Sequence, residues 1–333
     1  MKVFLSQLRA RILTPLTASL GPHVSAYRVG RSIRDAALLH LATCAVCAPS
    51  DGPHTCQEEV VESEAGAGYR VLRSGTDECP ACQPIPKHVC PRKGVKIHFD
   101  IHDFFGATRR SFVRQYFTEV VGYNFYVASL LADLMTVALE DPKGRVHHGV
   151  PQGAPTSGDL CNLVADARLD QPILEAFRGS GWKYSRYADD LYLSHPENLP
   201  RERVDEVIGR IDRIIRTAGY RTNWKKVRVQ RPSRRQEHLG LVVNQKLNLP
   251  SDAVRRLRAI LHNCYRNGFE REAQRAGKEN VERFVSWLRG RVGFMTMVNP
   301  QKAARLRKVL SLAMERHAVG GEGSHQEIGE RVT

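Results

Sequence analysis

Residues 186–194 read "RYADDLYLS". Two aspartates, Asp189 and Asp190, stand side by side among apolar and aromatic residues. Neighbouring carboxylates repel, and burying either one is costly unless it is paired or bound to a cation. The flanking "WKYSRYADDLYLSH" (182–195) alternates as a strand does, with a polar break at "ADD". That pattern predicts a β-hairpin with the pair at its turn. Aspartates can serve a turn simply by bonding to their own backbone. The sharper reading is that the turn presents two carboxylates to a divalent cation. It requires a third carboxylate and a phosphate-rich substrate.

The third carboxylate is Asp100, at the end of the apolar strand "VKIHFDI" (95–101). Its plainer role would be to cap the helix that starts at "HDFF". A strand-end aspartate beside a hairpin bearing two more can hold two Mg²⁺ ions. Mg²⁺ accepts a few carboxylates and keeps its other positions for water and substrate phosphate. Two such ions activate an attacking hydroxyl and stabilise a leaving pyrophosphate.

Composition supplies the phosphate-rich partner. The 333 residues carry 50 Lys and Arg against 35 Asp and Glu, a net charge of +15, concentrated after residue 200. Such an excess favours nucleic acid over a membrane surface. The start, "MKVFLSQLRARILTPL", breaks its apolar run with Arg9 and Arg11, unlike a secretory leader. The apolar stretch 121–139 contains Asn124 and Asp133, which predicts a buried helix rather than a membrane span. A cytoplasmic location is expected. Eight cysteines then argue for metal or free thiols rather than disulfides.

Along the chain, residues 1–43 read as helices with a turn at "LGPHVSAY" (20–27). Residues 44–92 form a Cys-, Pro- and Gly-rich insert, and 93–249 return to core patterning. Within the latter, "HDFFGATRRSFVRQYF" (102–117) predicts one helix, and "GRVHHGVPQGAPTSGDLCNLVADARLD" (144–170) a strand and loop feeding a helix. Val204, Val207, Ile208, Ile211, Ile214 and Ile215 recur at helical spacing. "RTNWKKVRVQ" (221–230) predicts a strand, and "HLGLVVNQKLNL" (238–249) a hairpin around "NQK". Residues 250–318 are helical and basic, and 319–333 are expected to be a disordered tail.

The ordered blocks "FDIHDFF" (99–105), "GVPQGAPTSGDLCNLV" (149–164), "RYADDLYLS", "TNWKKVRV" (222–229) and "HLGLVVN" (238–244) resemble a bacterial reverse transcriptase of the retron type. The first four match the palm motifs and the fifth the primer-grip hairpin. "LRAILHNC" (257–264) and "GRVGFMTMVNPQKAARLRKVL" (290–310) resemble the retron thumb. The resemblance covers about residues 20–43 and 95–315. It implies an α+β right-hand polymerase: reduced fingers, a palm with an antiparallel sheet, and a helical thumb.

The implied function is RNA-directed DNA synthesis on a dedicated structured non-coding RNA. Deoxynucleoside triphosphates would be substrates, an RNA 2′-OH the primer, and a DNA strand the product. The setting would be anti-phage defence with an effector protein as a further partner. Asp100, Asp189 and Asp190 would be the Mg²⁺-binding triad, with the Ile101 carbonyl as a further ligand. Phe105 would exclude a ribose 2′-OH, Gln152 and Gly153 would line the nucleotide and template pocket, and Lys226 would approach the triphosphate. Thumb residues Arg255, Arg256, Arg258, His262, Asn263, Arg266, Arg289 and Arg291 would neutralise RNA phosphates.

The chain departs from the family in three places. The retron Asn-Ala-x-x-His signature survives as Ala36, Ala37 and His40, without its Asn. The Val-Thr-Gly triplet reads His238-Leu239-Gly240. The segment before residue 20 leaves no room for the usual finger strands, hence the expectation of reduced fingers.

The insert is a quasi-repeat of "CAVCAPSDGPHTC" and "CPACQPIPKHVC". Cys44, Cys47, His54 and Cys56 form one candidate set; Cys79, Cys82, His88 and Cys90 form the other. Paired Cys-x-x-Cys knuckles signal one or two structural Zn²⁺, with ligands pairing within or across the repeats. Cys161 and Cys264 read as core residues. Two rival readings of the whole chain are another bacterial defence or intron-lineage reverse transcriptase, and a non-catalytic RNA-binding scaffold.

Overall fold

A computed structural model describes residues 1–41, 94–141, 143–244, 247–278 and 280–317. Its centre is a four-stranded antiparallel sheet of order β4-β5-β1-β6. The strands are β1 (Val95–Asp100), β4 (Lys183–Tyr187), β5 (Asp190–His195) and β6 (Arg228–Gln230). β4 and β5 are the two arms of the expected hairpin, closed by Ala188 and Asp189 between the paired Tyr187 and Asp190. β1 runs antiparallel beside β5, and the register sets Asp100 directly opposite Asp190.

Strand alternation divides the sheet into two unlike faces. Ile97, Phe99, Leu191 and Leu193 are wholly buried against the helical layer. That layer comprises α5 (Arg110–Gln115), α7 (Ser157–Ala165) and α9 (Arg201–Thr217), through Val113, Leu160, Leu163, Ile211 and Ile215. The opposite face carries Lys96, His98 and Asp100 on β1, set against Ser194, Tyr192 and Asp190 on β5. α3 (Ile33–Leu39) and a short hairpin of β7 (Glu237–His238) and β8 (Leu241–Val242) bring His40 and His238 onto this face.

The N-terminal helix runs from α1 (Lys2–Leu8) through a π-helical turn (Arg9–Leu13) into α2 (Thr14–Thr17). The "GPHVSAY" segment that follows bonds along β4: Arg186 N donates to His23 O at 2.7 Å and Ser25 N to Arg186 O at 3.2 Å. A turn was expected there, and the segment also extends the sheet edge.

Four helices end the described part of the chain: α10 (Ser251–Asn267), α11 (Phe269–Arg275), α12 (Val281–Val298) and α13 (Pro300–Arg316). They share a second core around Leu261, Cys264, Phe284, Leu288 and Met295. A small apolar junction of Ala37, Leu241, Val243, Leu247 and Val298 seats them on α3 and the β7–β8 hairpin. The α+β architecture with an antiparallel sheet and a helical C-terminal unit is as expected. Cys161 and Cys264 are buried and free, also as expected.

Several local expectations are corrected. The 121–139 stretch is not one buried helix: α6 (Phe125–Met135) gives way to β2 (Val137–Glu140). Asn124 Oδ1 accepts from Val127 N at 2.9 Å and starts α6 there. The face bearing Phe125, Tyr126 and Leu130 is exposed. β2 pairs with β3 (Val146–Gly149) as a separate hairpin. The helix foreseen over 102–117 is broken at Thr108 and Arg109 into α4 (Phe104–Ala107) and α5. The 238–249 segment also turns at Leu239 and Gly240, both with positive φ, ahead of the expected pairing on either side of "NQK", where Val242 and Asn248 form an antiparallel bridge at 2.8 and 3.1 Å. The 221–230 strand is shorter than expected, only β6.

Candidate active site

The three sequence-predicted carboxylates meet at one end of the sheet. Asp100 closes β1, Asp190 opens β5 and Asp189 occupies the turn before it. Ile101 N donates to Asp189 O at 2.9 Å, so the turn is pinned to the end of β1. Ala188 takes a left-handed φ of 55°, a costly conformation for a residue with a Cβ.

The turn is held from beneath by Arg186, which is fully buried. Its guanidinium donates to Ala188 O at 3.2 Å, to Asn162 Oδ1 at 3.0 Å and to Asp170 Oδ2 at 2.7 Å. Tyr184 Oη donates to the same Asp170 carboxylate at 2.7 Å. Burial pulls the Arg186 pKa down, yet the Asp170 charge and hydrogen bonds carry it above its ordinary value. The cation therefore stays charged, and the paired carboxylate accounts for its burial.

Each catalytic candidate has its own environment. Asp100 is 3% exposed; its Oδ1 accepts from Asn223 Nδ2 at 2.9 Å and its Oδ2 from Lys226 Nζ at 2.6 Å. It is not a helix cap: Asp103 precedes α4. Asp190 Oδ1 pairs with His98 Nε2 at 2.6 Å. Burial raises the Asp189 carboxyl above the usual carboxylate range. The negative charges of Asp190 and Asp100 add to that push, and its own backbone N–H and Lys226 oppose it. Three crowded carboxylates, one of them resisting ionisation, form an oxygen-only donor set suited to hard divalent cations. The Ile101 backbone lies beside them, bridged to Thr222.

Among the described residues, one group of three ligand-type side chains closes to within 4.8 Å, and it is not this triad. It comprises His23, Asp166 and Asp170. Asp170 there is already saturated by Arg186 and Tyr184, and Asp166 Oδ1 by His23 Nε2 at 2.8 Å. The group is a buried ion-pair network. In the triad, by contrast, Asp100 and Asp190 are each bonded to a basic neighbour, Lys226 and His98.

Phe105, Gln152 and Gly153 are far apart in sequence, yet they line one cavity of about 290 Å³ with Tyr27, Arg9 and Asp159. Two glycines make this wall. A Cβ at Gly149 would lie 2.3 Å from the Gly106 carbonyl oxygen, so glycine lets β3 press against α4, which carries Phe105. A Cβ at Gly158 would lie 2.5 Å from the Tyr27 ring. Tyr27 meets Phe105 edge-on at 6.2 Å. Asn162 links this wall to the triad turn: its Nδ2 donates to Ala26 O at 2.7 Å, and its Oδ1 accepts from Arg186, which also donates to Ala188 O. Arg9 Nε donates to the buried Asp159 Oδ2 at 2.7 Å and closes the far side.

The thumb set is divided. Arg255, Arg258 and His262 share an apolar-floored groove with Leu306 and Val309, between α10 and α13. Arg266 is exposed on α10. Arg256 pairs with Asp252 at 2.6 Å, and Asn263 reaches Glu272 at 3.4 Å. Arg289 contacts Met314 Sδ at 3.7 Å, and Arg291 lies over the Trp287 ring at 5.3 Å. The proposed zinc ligands Cys44, Cys47, His54, Cys56, Cys79, Cys82, His88 and Cys90 lie outside the described residues, as does the 319–333 tail.

Sequence reasoning missed His98, Asn223, Tyr27 and Arg186. Alternation puts His98 on the face of Asp100 but does not say which carboxylate it meets. No comparable signal marks Asn223 or Tyr27.

The profile described as reverse transcriptase (RNA-dependent DNA polymerase) matches residues 70–243, just over half of the chain. The retron Mx65 reverse transcriptase of Myxococcus xanthus is 36% identical over 222 residues, covering 64% of this chain and 48% of that protein. The retron Mx162 reverse transcriptase of the same organism is 30% identical over 230 residues, covering 62% of this chain and 45% of that protein. The retron Ec86 reverse transcriptase of Escherichia coli is 28% identical over 228 residues, covering 67% and 62%. This chain thus spans about half the length of the two Myxococcus relatives. Matched by that profile across its palm motifs and similar to several retron enzymes, the chain belongs to the reverse transcriptase family.

Proposed function

We propose that this chain is an RNA-directed DNA polymerase that copies a structured non-coding RNA into DNA. The observation that carries the reading is the meeting of Asp100, Asp189 and Asp190 beside the cavity of Phe105, Gln152 and Gly153. Asp100, Asp189 and Asp190, with the Ile101 carbonyl, would hold the divalent cations. Bound there, two Mg²⁺ would supply an activated 3′-hydroxyl and charge stabilisation of the departing pyrophosphate. The bond formed joins the primer oxygen to the α-phosphorus, and the bond broken is that to pyrophosphate.

The protein's own contribution is positioning. Asn223 and Lys226 orient the Asp100 carboxylate, and Lys226 is close enough to the triad to meet a triphosphate. The ring of Phe105 would stand against the sugar, with Tyr27 behind it. The Arg255, Arg258 and His262 groove would hold duplex phosphates by charge. Residues 44–92 would bind one or two structural Zn²⁺ through the cysteines and histidines already named. The similarity to retron enzymes supports a place in retron-type anti-phage defence beside an effector protein, in the cytoplasm.

The test is extension of a DNA or RNA primer on an RNA template with Mg²⁺ and deoxynucleotides. Wild type should make complementary DNA and Asp189→Asn should not, while RNA binding persists. RNA binding without synthesis by wild type, across templates that include the RNA encoded beside its gene, would leave the scaffold reading.

A further inference from the structure

The polar face of the sheet carries an unbroken stack of rings that ends on the triad. His98 Nε2 reaches Asp190 Oδ1 at 2.6 Å. The His98 ring lies nearly parallel to Tyr192, with centroids 4.6 Å apart and planes 17° apart. Tyr192 packs on His238 at 4.0 Å, and His238 stacks on His40 at 5.0 Å. His40 is fixed at both nitrogens, 2.7 Å from Ser194 Oγ and 2.7 Å from Ser185 Oγ. Lys96 is buried with its Nζ 4.8 Å over Tyr192.

The register explains why the stack points at Asp190. His98 faces Tyr192 across the β1–β5 pair, and Asp100 faces Asp190 one step further along the same side. His98 is thus diagonal to Asp190, within reach of a ring but not of a short side chain. Its rotamer is limited by Tyr192 on one side, so the Nε2 atom is delivered to one carboxylate oxygen. Ring stacking fixes the donor, and the donor fixes the carboxylate.

We propose that His98 is a positioning residue: its Nε2–H holds the Asp190 carboxylate in the orientation that binds a divalent cation. The inference rests on the polymerase reading only for the identity of the cation's task. Carboxylates that ligate metals are themselves oriented by hydrogen bonds, and loss of such a partner typically costs about 10- to 100-fold in metal affinity or activity. The sequence does not announce this role, because a histidine in "VKIHFDI" reads as an ordinary polar strand position.

The experiment is a Mn²⁺ titration of the full chain, followed by the paramagnetic signal of free Mn²⁺. Alongside it, the Mg²⁺ concentration for half-maximal synthesis is measured. His98→Phe keeps the ring and the stack on Tyr192 but removes the donor; His98→Gln keeps a donor. His98→Phe should weaken Mn²⁺ binding and raise the Mg²⁺ requirement by about 10- to 100-fold. At saturating Mg²⁺ its KM for deoxynucleotide should stay near wild type. His98→Gln should recover most of the loss, and His98→Phe should add little to Asp190→Asn, since both act on one group.

Wild-type Mn²⁺ affinity in His98→Phe would overturn the proposal. So would a Gln variant as weak as the Phe variant, an additive double mutant, or a wild type that binds no Mn²⁺. Should His98→Phe unfold, His98→Leu is judged by the same results. A wild type that binds Mn²⁺ but makes no DNA would sink the polymerase reading while leaving the His98 assignment to stand or fall on the titration.

Discussion

Lys226 Nζ lies 2.6 Å from Asp100 Oδ2, so the palm lysine and the first carboxylate of the triad form an ion pair. The Asp100 side chain is 4% exposed and that of Lys226 is 56% exposed. The lysine is therefore a solvent-facing cation at the rim, and the aspartate is its buried partner. The hydrogen bond to Asp100 raises the Lys226 pKa and keeps it charged near neutrality.

This asymmetry separates chemistry from stability at Lys226. Lys226→Ala should raise the KM for deoxynucleotide and lower kcat/KM by about tenfold or more, roughly 1.4 kcal/mol or above. Its stability should change by less than about 1 kcal/mol, because one partner is largely solvated. Steady-state kinetics and chemical denaturation on the same preparation check both halves.

Phe105 shares its cavity with Gln152, Gly153 and Tyr27. Phe105→Ala should therefore admit ribonucleotides while retaining much of the deoxynucleotide activity. Tyr27→Ala removes the ring set edge-on against Phe105 and should loosen the same selectivity to a smaller degree. The ratio of kcat/KM for the two sugars is the readout. Unchanged selectivity in both folded variants would make Phe105 a packing residue.

Arg186 and Asp170 are both fully buried and 2.7 Å apart. Asp170→Asn leaves the guanidinium without a counter-charge, so it should destabilise the protein by about 3–5 kcal/mol. The carboxylate turn hangs from Arg186 through Ala188 O, so synthesis should fall before global unfolding begins. A urea titration read by fluorescence and by activity would show the two transitions.

The ring stack gives the protein an acid-sensitive element. Burial, followed by the Lys96 charge, holds His40 and His238 well below the ordinary histidine value of 6.5. An unfolded histidine takes up a proton as pH falls through about 6.5, and these folded ones resist it. Their contribution to stability is thus present above that pH and is lost progressively below it. Among the described residues, neither His238 ring nitrogen has a hydrogen-bond partner. His238→Leu should flatten the acid limb and raise stability near pH 7.5 by about 1 kcal/mol, since an unsatisfied polar group is removed. Urea midpoints at several pH values test it.

What the sequence made legible follows physical lines. Asp100, Asp189 and Asp190 could be found because an acid at a strand end or turn is conspicuous among apolar neighbours. Phe105, Gln152 and Gly153 could be grouped only through the family resemblance, and the fold then brought them to one cavity. His98 and Arg186 were not legible, because their meaning depends on cross-strand register and on what lies beneath the sheet. The β2–β3 hairpin was hidden because Val137 and Leu139 continue the apolar run of α6, and only the break at Thr136 divides them. The thumb set was read as one surface. Helical geometry puts Arg255, Arg258 and His262 on one face and leaves Arg256 to Asp252.

Catalysis of DNA synthesis on RNA by Asp100, Asp189 and Asp190 can be tested at each carboxylate in turn. The direct measurement is single-nucleotide extension of a primed RNA template by wild type and by Asp100→Asn, Asp189→Asn and Asp190→Asn, with RNA binding measured in parallel. Mg²⁺-dependent extension is expected of wild type, with near-complete loss in all three variants and RNA affinity unchanged within about threefold, or 0.7 kcal/mol. Extension by any variant at the wild-type rate would contradict that role for the triad.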